Sequence, residues 1–263
     1  MAEPKKGIAL ITGASAGLGK ELASLFARDK HDVILVARSE SKLRALAGDL
    51  KESDGVEAHV VVADLGRRGA AASVEEQVKR LGLEVDFLVN NAGFGSNGAF
   101  LDLDLAREVE MIDVNITSLV ELTHRFTPAM KQRGFGRVMN IASTAGFQPG
   151  PFMATYYATK AFVVSFSEAL AYELDGTGVT VTCHCPGATK TEFAATAGND
   201  KSRLFQRSGV ADAKDVALHA YKAMMSGEIL AVQGALNWIA FEALRFTPRA
   251  LARSIAAGLN RST

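Results

Sequence analysis

The chain has 263 residues, with 29 Lys and Arg against 29 Asp and Glu for a formal net charge of +0. Hydrophobic residues make up 48% and charged residues 22%, a globular composition long enough for one large α/β domain. This balance argues against a basic nucleic-acid surface or an acidic tail. No apolar run reaches the roughly 18 residues of a transmembrane helix.

The N-terminal "MAEPKKGIALITG" passes into a strand within a few residues. That leaves no room for a signal peptide and predicts a cytoplasmic protein. From there, apolar runs of strand length alternate with stretches of helical periodicity. Strands are expected at 7–12, 33–37, 58–63, 86–90, 137–142, 179–184 and 228–233, and helices near 17–29, 39–52, 69–81, 102–132, 154–175 and 211–226. Most strand runs are continuous Val, Ile, Leu and Ala, as in strands buried on both faces of a parallel sheet. The rhythm predicts an α/β fold: a single-domain, Rossmann-type, doubly wound parallel sheet of about seven strands with helices on both faces. In such sheets ligands bind beyond the C-terminal strand ends. Here most of those ends are rich in Gly, Ser, Thr and Asn.

After the first strand comes "ITGASAGLGKEL". Gly13, Gly17 and Gly19 let the backbone approach a pyrophosphate, and the following helix N-terminus offers free N–H groups. The stretch lacks the Gly-Lys-Ser/Thr of a P-loop, which disfavours a kinase or ATPase. The second strand ends "LVARSE". An acidic residue there would bind the ribose hydroxyls of NAD, but this chain offers Arg38, a partner for a 2′-phosphate. NADP(H) is the better expectation, with NAD(H) as the alternative.

Within "TYYATKAF" (155–162), Tyr156 lies at i,i+4 and Tyr157 at i,i+3 from Lys160. On a helix both can share its face, so spacing leaves both tyrosines open. A free tyrosine titrates near ~10 and needs nearby positive charge to exchange protons at neutral pH. Cys183 and Cys185 sit in "VTVTCHCPG" on one face of a strand, too far apart for a relaxed disulfide, and no second ligand cluster completes a metal site.

The segment 192–209 has the polar, glycine-punctuated character of a lid, placed overall at about 188–210. The helical extension at about 235–263 reads as two helices, with Thr247 as an N-cap and Pro248 as the first helical residue. Leu251, Ile255 and Leu259 form an apolar stripe there, and Arg245, Arg249 and Arg253 recur every four residues. Such a helix closes a substrate pocket or, alternatively, rests on a membrane surface.

These motifs together, over nearly the whole chain, resemble the short-chain dehydrogenases/reductases. "TGASAGLG" matches that family's glycine turn, "NNAG" (90–93) its fourth-strand motif and "PGATKT" the stretch that covers the nicotinamide. Asn115 falls at the position of a catalytic asparagine. Ser143 precedes Tyr156 as the family serine precedes its tyrosine, and Tyr-x-x-x-Lys then selects Tyr156 over Tyr157.

The resemblance implies the catalytic set Asn115, Ser143, Tyr156 and Lys160. Tyr156 would donate a proton, Lys160 would hold the nicotinamide ribose and lower the phenol's pKa, Ser143 would bind the carbonyl oxygen, and Asn115 would support a proton relay. It also implies a cofactor cleft of Gly13, Ser15, Gly17, Leu18, Gly19, Arg38, Asp64, Leu65, Asn91, Gly93, Thr189 and Thr191, together with Tyr156 and Lys160, and no metal. Many members carry a basic residue just before the second glycine. Here that position is Ala16, so the NADP(H) expectation rests on Arg38.

The whole chain is therefore read as one dinucleotide-binding catalytic domain. Its expected activity is reduction of a carbonyl to an alcohol, or the reverse. Phe94, Phe147, Phe152, Met153, Phe193 and Phe205 in the framing loops point to a hydrophobic small-molecule carbonyl or alcohol. A non-catalytic NADP(H)-binding sensor is the alternative from another class; it predicts a broken Ser-Tyr-Lys set. The family assembles through long helices, which implies a homodimer or homotetramer, although the tail from 235 replaces the short glycine-rich end of many tetrameric members.

Overall fold

The computed structural model describes residues 7–192, 197–198 and 210–261. Seven parallel strands form one sheet: β1 (Ile8–Thr12), β2 (Asp32–Ala37), β3 (Ala58–Val62), β4 (Phe87–Asn90), β5 (Gly136–Ile141), β6 (Val179–Cys185) and β9 (Leu230–Val232). Their order is β3-β2-β1-β4-β5-β6-β9. All seven coincide with the runs expected from sequence. A two-residue parallel pair, β7 (Thr189–Lys190) with β8 (Ala211–Asp212), was not anticipated.

Alternation along β1 shows how the sheet acquires two cores. Ala9 and Ile11 join Leu22, Phe26, Leu35, Phe87 and Tyr221 on one face. Leu10 joins Ile34, Leu88, Leu122, Phe126 and Val138 on the other. The first core is covered by α1 (Gly17–Arg28), α2 (Glu40–Asp54) and α7 (Ala213–Ser226), and the second by α3 (Ala70–Arg80) and α5 (Ser118–Arg133). Phe26 centres the first core, its ring 5.3 Å from that of Phe87 and 4.9 Å from that of Tyr221.

The strand order reverses between β1 and β4, all strands staying parallel, and the crevice opens there. Thr12 pins it: its hydroxyl donates to the Val89 carbonyl and accepts from the N–H groups of Asn91 and Ala92. Asn91 Nδ2 donates to the Thr12 carbonyl at 2.8 Å. Deeper in, Asn90 donates to Thr123 and Asn140, and Asn140 donates to Ser167, each at 2.9 Å. This buried chain of amides ties the middle of the sheet to α5 and to α6 (Ala154–Glu173).

Two expectations need correction. The helix anticipated at 102–132 is interrupted: α4 (Leu105–Ile112) passes through a π-turn, Asp113–Thr117, into α5. One extra residue moves the apolar phase by one position, and the dense apolar residues from Val109 to Val120 blur that shift. In the tail, α8 (Ala235–Leu244) and α9 (Arg249–Asn260) are both present, but Pro248 occupies the N-cap position. Thr247 instead turns its hydroxyl back to the Ala243 carbonyl at 2.8 Å, closing the end of α8.

Candidate active site

The C-terminal strand edges enclose a cavity of about 820 Å³ that runs from the glycine turn to the tail helices. At the turn, Gly13 and Gly17 have φ of +66° and +52°, a region that L side chains resist. Gly19 lies behind the wall, where a Cβ would fall 2.3 Å from the Gly13 carbonyl oxygen. The first turn of α1 has no side-chain cap and no acidic residue. Its N–H groups are therefore open to an anion. Ser15, Gly17, Leu18, Asp64, Leu65, Asn91, Gly93, Thr189 and Thr191 line the same cavity.

Arg38 lies at this end, 3.4 Å from Glu110 of α4. Lys42 joins it on the wall, 3.5 Å from Glu192. Sequence reading missed Lys42, although its place four residues after Arg38, in the first turn of α2, was a usable signal. Uncapped N–H groups, a glycine-rich turn with only small side chains and two cations fit the pyrophosphate and 2′-phosphate of NADP(H).

The middle of the cavity brings Ser143, Tyr156 and Lys160 together. Ser143 caps a short 3₁₀ turn, Thr144–Phe147, accepting from the Ala145 N–H at 3.1 Å. Tyr156 and Lys160 stand one turn apart on α6, with Lys160 Nζ 5.8 Å from the Tyr156 ring centroid. Lys160 is only 5% exposed, and its Nζ donates to the Ile141 carbonyl at the end of β5 at 2.8 Å. Burial pushes this ammonium down to about 8.

Burial pushes the Tyr156 phenol up, and a hydrogen bond with Ser143 offsets this only in part. The lowered phenol expected from the neighbouring lysine is not seen. The ammonium is turned to a backbone carbonyl, and desolvation is the larger effect.

Asn115 stands behind the cavity wall, on the π-turn. Its Oδ1 accepts from the Phe94 N–H at 3.1 Å, and its Nδ2 donates to the Phe94 carbonyl at 3.0 Å and to Thr159 Oγ1 at 3.0 Å. A Cβ on Gly93 would meet Asn115 Oδ1 at 3.0 Å and Lys160 Nζ at 3.5 Å, so glycine keeps this passage open. Asn115 thus joins the loop after β4 to α6.

The far end is apolar. Phe94, Phe147 and Met153 line it as expected, with Tyr157, and α8 and α9 contribute Phe241, Leu244, Ala252, Ile255 and Leu259. Ile255 and Leu259 belong to the stripe seen in sequence, but the positions α9 buries are Ala252, Ala256 and Asn260, while Leu251 is exposed. Phe152 does not line the cavity; its ring lies against Arg261. Phe193 and Phe205, and most of the lid expected at 188–210, lie outside the described residues. Cys183 and Cys185 are both free and buried in the core, their Sγ atoms 3.8 Å apart.

Residues 7–202 match the family profile described as short chain dehydrogenase. The chain is 38% identical to sulfoacetaldehyde reductase 2 of Chromohalobacter salexigens over 216 residues, 80% of this chain and 85% of that one. It is 35% identical to the ketoacyl reductase HetN of a Nostoc species over 178 residues, which span 68% of this chain and 62% of that relative. Among solved structures, a short-chain dehydrogenase from Sphingobium yanoikuyae in complex with NADPH superposes with a TM-score of 0.82 at 34% identity, covering 91% of this chain and 94% of that one.

Proposed function

The chain belongs to the short-chain dehydrogenase family, and on that premise we propose that it is an NADP(H)-dependent oxidoreductase. It reduces a hydrophobic ketone or aldehyde to the alcohol, or runs the reverse. The observation that carries this reading is one continuous cavity with an anion cradle and two cations at one end, Ser143, Tyr156 and Lys160 in the middle, and an apolar chamber at the other.

When bound, the reduced nicotinamide supplies the hydride. Every other step belongs to the chain. Ser143 Oγ hydrogen-bonds the carbonyl oxygen and orients it. Tyr156 gives its phenolic proton to that oxygen as alkoxide character develops. Lys160 supplies positive charge to the resulting phenolate and holds the sugar hydroxyls beside it. Asn115 acts one layer back, fixing Phe94 and Thr159 so that the passage beside Gly93 stays open for a proton path.

Cofactor choice rests on Arg38 and Lys42. NADP(H) is preferred because both cations face the place of a 2′-phosphate and no carboxylate stands at the end of β2; NAD(H) is the second reading. The test is oxidation of NADPH and of NADH with a panel of small, polar, aromatic and alicyclic carbonyls. Turnover with NADPH and an apolar carbonyl supports the reading, and inertness toward the whole panel counts against it.

Exposed Leu105, Val109 and Ile112 on α4 and Phe162 on α6 support a homodimer or homotetramer built through these helices, which light scattering would detect. Leu236 near the start of α8 and Phe246 just past its end are 83% and 88% exposed. They support peripheral membrane contact by an otherwise cytoplasmic enzyme, which co-sedimentation with anionic vesicles tests. No helix among the described residues is long and apolar enough to cross a membrane.

A further inference from the structure

The outer wall of the apolar chamber is α9, through Ala252, Ile255 and Leu259. Apolar packing holds this helix weakly, because the buried apolar side chains along it are two alanines, Ala252 and Ala256. Its far end is held by hydrogen bonds. Asn260, fully buried, divides its polar groups among three segments. Its Nδ2 donates to the Pro151 carbonyl at 3.0 Å, its Oδ1 accepts from Tyr157 Oη at 3.1 Å, and its backbone carbonyl accepts from Asn97 Nδ2 at 2.8 Å. The next residue, Arg261, places its guanidinium 5.4 Å from the Phe152 ring centroid.

Each of these segments bears on the chemistry. Pro151 and Phe152 lie on the loop from Ser143 to α6. Asn97 follows the loop that Asn115 holds at Phe94. Tyr157 is the neighbour of Tyr156, and its ring packs against Gly150 where a Cβ would fall 2.2 Å from it, so only glycine admits the ring there.

We propose that Asn260 is a positioning residue for substrate specificity: latched to Tyr157, Pro151 and Asn97, it fixes α9 as the outer wall and so sets the size of carbonyl that reaches Tyr156. The inference rests on the carbonyl-reductase reading and adds the device that decides which carbonyl is admitted. It also gives the second tyrosine of the pair a role distinct from the first. Tyr156 faces the reacting oxygen, and Tyr157 holds the wall.

The test compares wild type, Asn260→Ala and the shape-preserving Tyr157→Phe on a carbonyl series from a short aliphatic aldehyde to a bulky alicyclic ketone, with hydrogen exchange of α9 measured in parallel. Loosening the latch lets Ile255 and Leu259 retreat. The ratio of kcat/KM for the bulky over the small substrate then rises about tenfold, the scale on which apolar pocket shape discriminates. The change falls mainly on KM, and amides of α9 exchange faster while those of α1 do not.

A purely structural role would lower thermal stability and leave the ratio unmoved, and that result overturns the proposal. If Asn260→Ala does not fold, Tyr157→Phe carries the test alone. If wild type reduces no carbonyl, the proposed function fails separately, and α9 exchange unchanged from wild type in both variants then overturns the latch as well.

Discussion

Asn115 grips Phe94 by both polar groups of its backbone, accepting from the N–H at 3.1 Å and donating to the carbonyl at 3.0 Å. The π-turn makes this reach possible, since the extra residue directs position 115 toward the loop after β4 while α4 and α5 continue on either side. A loop that frames the reacting centre is thereby fastened to the scaffold by one amide.

Replacing Asn115 by Leu should therefore cost more than volume. The two Phe94 backbone groups lose their partner, while the Thr159 hydroxyl keeps its bond to the Tyr156 carbonyl, and an unsatisfied buried polar group costs about 1–3 kcal/mol. The expected result is a clear fall in thermal midpoint together with a loss of kcat. Thermal unfolding beside steady-state kinetics checks it, and an unchanged midpoint would show that the clamp is dispensable.

Glu110, 3.4 Å from Arg38, would compete with a cofactor phosphate for the guanidinium charge. Arg38→Ala should weaken NADPH binding by roughly one to two orders of magnitude, the worth of a hydrogen bond to a charged group, at about 1.5–3 kcal/mol. NADH binding should barely change. Glu110→Gln frees the guanidinium and should tighten NADPH selectively. Titration calorimetry with both nucleotides reads the two effects.

Much of this arrangement was legible in the sequence, for identifiable reasons. Continuous apolar runs such as "VILVA" mark strands buried on both faces, and the glycines at 13 and 17 mark a turn that other residues resist. What stayed hidden depends on contacts without a local signature. The π-turn shifts the apolar phase by one residue within a stretch too rich in apolar residues to show it. Asn260 meets Tyr157 across 103 positions, and nothing near either residue announces it. The tail shows a third kind of miss. The stripe of large apolar residues was visible, but α9 buries its alanines and presents Ile255 and Leu259 to the cavity. Hydrophobicity alone does not distinguish a packed face from a ligand-facing one.

His184 predicts sensitivity to acid. It is fully buried beside His219, with Nε2 3.1 Å from that ring's Nδ1, and burial with the second histidine pushes its pKa down to about 3. The unfolded chain then binds the extra proton from about pH 6.5 downward, so stability is intact above that pH and is lost as pH falls toward 3. The loss is at most about 1.4 kcal/mol per pH unit for this one group. His184→Gln should flatten that slope in denaturant titrations between pH 7 and 4.

Lys160 shows the same sign in a higher pH window. With its ammonium pushed down to about 8, the native state binds fewer protons than the unfolded chain between about 8 and the usual lysine value. The cost of burying the charge is present at neutral pH and is relieved as pH rises through that window. If the charge supports Tyr156, carbonyl reduction should stay level below about pH 8 and fall above it. Lys160→Arg should carry that fall to higher pH, because a guanidinium keeps its proton.

The most direct measurement compares wild type with Tyr156→Phe for NADPH binding and single-turnover carbonyl reduction. The account predicts NADPH affinity within a few-fold of wild type and a rate lower by about 10²–10⁴, the usual contribution of a positioned proton donor. Tyr156→Phe protein that reduces the carbonyl at the wild-type rate would contradict it, since the proton would then come from another group.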